Sequence, residues 1–88
     1  MNDLFRLCIV TGDATVLDTR VRSVNLPTDF GSVGILVRHA PMLCAVSKGL
    51  LRCTLADGGT LRVRVSDGVA SVADNELTVL CADAEVTN

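Results

Sequence analysis

An all-β fold is the class this sequence predicts, and three observations carry it. Apolar and polar residues alternate with period two in several runs of five to eight residues. Clusters of turn-forming residues separate those runs, and no window sustains the i, i+3, i+4 spacing of an amphipathic helix. Short strands joined by regular turns, with no helix between them, close into an antiparallel sandwich or barrel. The 88 residues make a single domain, residues 1–88, with no internal repeat and no linker.

The first run, residues 4–11, sets Phe5, Leu7 and Ile9 on one face with Arg6 on the other. Residues 15–26 begin with Leu17 and Val21 in phase and then shift to Val24 and Leu26. A change of phase inside one strand signals a bulge or a bend, as where a strand turns a sandwich corner. Residues 27–34, with Pro27, Gly31 and Gly34, read as a loop, and short apolar pieces follow at residues 35–37 and Met42–Val46. Lys48-Gly49 marks a further turn. If its loop has two residues, Cys44 falls opposite Cys53, as a redox pair or as two packed thiols.

The next two hairpins are fixed by arithmetic, because residues opposed in a hairpin share a face. Leu51, Cys53 and Leu55 alternate with Arg52 and Thr54, and Leu61, Val63 and Val65 with Thr60, Arg62 and Arg64. A two-residue loop would oppose Leu55 to Thr60, inward against outward. A three-residue loop over Asp57, Gly58 and Gly59 opposes Leu55 to Leu61 and Cys53 to Val63, with Gly59 left-handed in a bulge. At Asp74-Asn75 the same logic selects a two-residue loop, which pairs Val72 with Leu77 and Ala70 with Val79. Asn and Asp tolerate the positive φ that such a turn needs.

Composition bounds the function. Hydrophobic residues are 49% of the chain but aromatics only 2%, so the core is built from many small contacts. A net charge of −2, no Trp and no run of basic residues argue against nucleic acid as a partner. The amino terminus lacks the basic and apolar regions of a secretory signal. No apolar run of about 18 residues exists for direct membrane insertion. Cys8, Cys44, Cys53 and Cys81 lie far apart, each in an apolar run, which suits buried free thiols rather than a metal site.

Chemistry is sparse. His39 is the single histidine, and a catalytic role needs a nucleophile and an orienting group beside it. Ser66-Asp67-Gly68 reads as turn chemistry instead. Gly31-Ser32-Val33-Gly34 has no following Lys-Ser/Thr and precedes no helix, so it is not a P-loop. The residues describe a binding or structural module without a catalytic group, metal or cofactor.

The stretch from Gly31-Ser32-Val33-Gly34-Ile35 to His39-Ala40-Pro41-Met42-Leu43 resembles the epsilon subunit family of F-type ATP synthases. Lys48-Gly49-Leu50-Leu51-Arg52, Ser66-Asp67-Gly68 through Val72, and Asn75-Glu76-Leu77-Thr78-Val79-Leu80 are similar to further family segments at fitting distances. Ser47-Lys48 stands where the family has Lys-Pro. The resemblance implies a flattened antiparallel β-sandwich of about eight to ten short strands, without a helical domain. It implies a non-catalytic central-stalk subunit that binds the gamma subunit and the c-ring and couples proton or sodium flow to ATP synthesis. Its place is then peripheral, on the cytoplasmic side of the bacterial cell membrane. Carried over by position, Thr11, Asp29, Phe30, Gly31, Ser32, Val33 and Gly34 face the c-ring, with Ser32 where relatives often carry an acid. His39, Ala40, Pro41 and Met42 face gamma, with Leu77, Val79 and Cys81 of the last strand; His39 equally serves to fix the loop before Pro41. The chain ends at Asn88, ahead of the helical pair of most relatives, so neither an inhibitory arm nor a nucleotide site is expected. The alternative is a small-ligand or carbohydrate-binding sandwich, which calls for exposed aromatics that Phe5 and Phe30 supply poorly.

Overall fold

Alternation along the chain becomes nine strands in the computed structural model, which describes residues 3–87. Met1 and Asn2, part of the stretch read as carrying no secretory signal, and Asn88 lie outside the described residues. The strands are β1 (Phe5–Val10), β2 (Thr15–Thr28), β3 (Gly31–Leu36), β4 (Met42–Val46) and β5 (Gly49–Leu55). They continue as β6 (Thr60–Val65), β7 (Gly68–Ala73), β8 (Glu76–Cys81) and β9 (Ala84–Val86). No helix occurs among the described residues.

The hydrogen-bonded path runs β4-β7-β8-β1-β2-β5-β6-β9, with β3 on the other side of β2. The long β2 belongs to two wings. Its first half pairs with β1, and its second half pairs with both β3 and β5. The register against β5 shifts between Val21 and Ser23, where the phase change predicts a bulge. Arg22, the extra residue, turns outward, and its guanidinium donates to the Ala56 carbonyl at 2.8 and 3.1 Å. The wings close over one apolar core that includes Phe5, Leu7, Ile9, Val24, Leu26 and Leu51, with no buried polar or charged residue among the described ones.

Four expectations change. The sandwich is not wholly antiparallel: β1 and β8 run parallel, with Leu7 against Leu77 and Ile9 against Val79. β8 reaches β1 after the chain has crossed the second wing, not through a hairpin, so its direction is free. Residues 27–34 are not a loop. β2 continues to Thr28, turns at Asp29-Phe30, and returns as β3 with Thr28 opposite Gly31. Gly31 takes φ 104°, which its missing Cβ permits. Pro27 sits beyond the last β2–β5 pair, where its missing N–H costs no ladder bond.

Lys48-Gly49 is not a hairpin turn either. β4 pairs with β7, and the chain then passes into the second wing, so Cys44 lies beside Ala70 and Cys53 beside Val24 and Leu61. All four cysteines are free. The β5–β6 loop has three residues, but they are Ala56, Asp57 and Gly58: the Leu55 N–H donates to the Gly59 carbonyl at 2.7 Å. Cys53 therefore opposes Leu61, Leu51 opposes Val63, and Gly58 rather than Gly59 is left-handed, at φ 93°. The two registers differ by two residues and bury the same face, so alternation cannot separate them. The Asp57 carboxylate accepts the Gly59 N–H at 2.8 Å and supports the observed form. The β7–β8 hairpin follows expectation: Val72 opposes Leu77, Ala70 opposes Val79, and Asp74 and Asn75 both take positive φ.

Candidate interaction surfaces

Registers across the first wing place its outward side chains in three rows. One row reads Ala45, Val69, Leu80 and Val10 across β4, β7, β8 and β1. The next reads Leu43, Ser71, Thr78 and Cys8, ending on Asp18 of β2. The third reads Ala73, Glu76, Arg6 and Arg20. A strand face turned to water ordinarily carries polar residues. Here Leu43 is 74% exposed, Leu80 54% and Val69 46%. An ionic cluster borders the apolar rows: the Arg6 guanidinium meets Asp18 at 2.7 Å and Glu76 at 2.6 Å, joining β1, β2 and β8.

At one end of this wing lies the segment between β3 and β4. Asn75 fixes it. The Asn75 side-chain oxygen accepts the Arg38 N–H at 2.8 Å, and its amide donates to the Leu4 carbonyl at 2.9 Å. The Asn75 carbonyl also accepts the Arg6 N–H at 3.2 Å. One turn residue thus holds the β7–β8 hairpin, the start of β1 and the left-handed Arg38 together. The His39 ring nitrogen Nδ1 lies 2.7 Å from the Ala40 carbonyl, which can only accept, so Nδ1 carries the proton. Ser66 precedes β7 and His39 is tied near its far end, about 20 Å of strand away. No Ser–His pair forms.

The opposite rim gathers the chain's crossings between wings. Lys48 N–H donates to the Asp67 carboxylate at 2.7 Å, and Ser66 Oγ accepts the Ala82 and Asp83 N–H groups at 3.1 and 3.0 Å. Ser66-Asp67 is turn chemistry, as its sequence reads. Ser47 N–H donates to the Pro27 carbonyl at 2.9 Å, and its hydroxyl reaches the Asp29 carboxylate. Val10 opposes Leu80, so Thr11 follows at the same rim. Thr11 and the Asp29-Phe30 turn therefore share one end of the molecule, and Phe30 is wholly exposed at its tip.

The other site residues divide by parity. Ser32 and Gly34 face outward on the second wing, opposite Pro27 and Asn25, while Val33 is half-buried against the core. Ala40 and Pro41 are exposed and His39 is half-buried. Met42 packs against the core, and the side chains of Leu77, Val79 and Cys81 are buried. Met42 is only partly covered, while Leu77, Val79 and Cys81 cannot present side chains to a partner. Their outward neighbours Leu43, Thr78 and Leu80 can. Leu43, Val69 and Leu80 were not singled out by the sequence pattern, although each stands on the outward phase of its strand.

Among the described residues no group of three His, Cys, Asp or Glu could hold a metal, and no helix is long and apolar enough to cross a membrane. Burial raises the pKa of the Cys53 thiol, against a smaller lowering by its hydrogen bond with the Leu61 backbone. The candidate site is a pair of surfaces.

Known proteins match this architecture. The family described as ATP synthase, delta/epsilon chain, β-sandwich domain matches residues 4–87. The chain is 40% identical over 79 residues to the chloroplastic ATP synthase epsilon chain of Coffea arabica, covering 90% of this chain and 59% of that one. It is 38% identical over 81 residues to the corresponding chain of Pisum sativum, covering 92% and 58%. The chain thus spans less than two thirds of the length of these relatives. Among solved structures, a chain of the Euglena gracilis mitochondrial ATP synthase (OSCP/F1/c-ring) superposes with a TM-score of 0.90 at 20% identity, covering 98% of this chain and 55% of that one. A chain of the Tetrahymena thermophila mitochondrial ATP synthase central stalk and c-ring gives 0.74 at 16% identity, covering 91% and 64%. At such identities the two structures are a likeness of fold.

Proposed function

The chain belongs to the ATP synthase delta/epsilon family through its β-sandwich domain, and from that premise we propose that it is a non-catalytic subunit of the enzyme's central stalk. In this reading it binds the gamma subunit, meets the c-ring, and couples ion flow to ATP synthesis as a stiff part of the rotor. Its place is peripheral, on the cytoplasmic side of the coupling membrane. The observation that carries the reading is the apolar outward face of the first wing, where Ala45, Val69, Leu80 and Val10 line up beside Leu43. Such a patch is what a stable protein partner covers. We assign it to gamma, with His39, Ala40 and Pro41 at its border. The rim with Thr11, Asp29 and Phe30 is assigned to the c-ring. Phe5 is in the core and Phe30 stands alone, so no aromatic platform favours a carbohydrate.

The test is co-purification with the cognate gamma subunit, followed by size-exclusion chromatography and titration. Full burial of a Leu or Val side chain contributes about 1.5–3 kcal/mol. Leu43→Asp should therefore weaken a one-to-one complex by about 2 kcal/mol, roughly thirtyfold. Circular dichroism of the variant should stay that of the parent, since Leu43 packs against nothing inside. A folded protein that forms no complex with its own gamma would overturn the assignment.

A further inference from the structure

We infer that the outward face of the second wing is a separate docking surface, one for an acidic helical segment of a partner protein, recognised by Arg52, Arg62 and Arg64. Registers again define it. Gly34, Asn25, Arg52 and Arg62 form one row across β3, β2, β5 and β6. Leu50, Arg64 and Glu85 form part of the next. Arg52 and Arg62 are therefore directly opposed, an arrangement that destabilises a sheet when nothing neutralises it. Among the described residues neither guanidinium has an ion pair or side-chain hydrogen bond, and both residues are exposed. Arg64 has only Glu85, at 3.8 Å with both side chains largely in water.

The rest of the face carries no compensating acid. Asp13, Asp29, Asp57, Asp67, Asp74 and Asp83 all lie between strands, so a chain with net charge −2 still presents one locally cationic face. Folding does not explain this concentration of like charge; an incoming carboxylate pair does. Opposed side chains in a sheet stand about 5 Å apart at Cβ. Carboxylates at i and i+4 on a helix have about the same spacing. Seven of the eight basic residues are Arg, whose planar fork takes a carboxylate in two parallel hydrogen bonds. Exposed Leu36 and half-buried Leu50 add apolar contact beside the row. No aromatic on this face could stack on a base, which argues against a nucleic acid.

The probe is a stapled helical peptide bearing Glu at i, i+4 and i+7, beside a twin carrying Gln, titrated at low ionic strength into the labelled protein. Saturable amide shifts in β5, β6 and the second half of β2 are expected with the Glu peptide alone. Arg52→Gln with Arg62→Gln should weaken binding by about tenfold without lowering the melting temperature, because it removes a repulsion. Arg20→Gln with Arg38→Gln, an equal loss of charge elsewhere, should change it less than about twofold. Equal binding of the Gln peptide, equal losses in both double variants, or shifts on the first wing would each overturn the proposal. So would Arg52- and Arg62-dependent binding to phosphatidylglycerol vesicles with none to the peptide, which would make the surface a lipid site.

Discussion

Arg6 shows how one side chain on a wet surface can order three strands. Its guanidinium makes two bonds to Asp18 on β2 and one to Glu76 on β8, while its own backbone belongs to β1. The side-chain hydrogen bond from Arg6 holds the Asp18 carboxyl below its ordinary value of 3.8, against some desolvation. A carboxyl with a depressed folded pKa contributes stability that is present above its unfolded pKa and lost as pH falls through the folded one. The parent should therefore lose more stability between pH 7 and pH 3 than Arg6→Gln does, as read from urea midpoints. Equal losses would mean that water screens the cluster to nothing. Sequence shows Arg6 on an outward phase, yet its partners, 12 and 70 residues away, depend on strand order. Asn75 was legible as a turn residue for the same local reason, but its bonds to Arg38 and Leu4 were not. His39 combines both cases: its hydrogen bond to the Ala40 carbonyl is the loop-fixing role that the sequence allows, and its border position comes only from the fold.

Strands were the most legible elements, because period-two alternation records burial directly. The bulge in β2 and the Asp74-Asn75 turn followed from phase and loop length. Two kinds of error share one cause, that local pattern does not contain long-range pairing. Residues 27–34 look like punctuation because Pro and Gly usually break strands, yet β2 and β3 pair through them. Met42–Val46 and Gly49–Leu55 look like a hairpin because they are adjacent, yet each found another neighbour. Gly68 illustrates such a constraint from the structural side. A Cβ there would lie 2.2 Å from the Leu80 carbonyl oxygen and 2.9 Å from the Cys81 side chain, where β7 and β8 come together. Gly68→Ala should cost about 3 kcal/mol, as an overpacked site with backbone that cannot yield. A urea midpoint within error of the parent would show that the two strands can separate there.

At the scale of the molecule, the chain divides its surface by chemistry: an apolar face bordered by an ionic cluster on the first wing, an arginine face on the second, and most of the acids on the turns. The class of the fold could be read from alternation, and the family from short segments spread along the chain. The apolar outward face could not. Leu43, Val69 and Leu80 are apolar residues on outward phases, and in a sequence each is a single apolar residue with no visible neighbour. Only the registers of β4, β7, β8 and β1 bring them into adjacent rows. Met42, Leu77, Val79 and Cys81, chosen from position, stand on the inward phase of β4 and β8. The measurement that bears most directly on the central claim is methyl cross-saturation of this labelled protein in complex with its cognate gamma subunit. Saturation concentrated on Leu43, Val69 and Leu80 is the predicted result. Transfer confined to the second wing, with those three methyl sets untouched, would contradict the account.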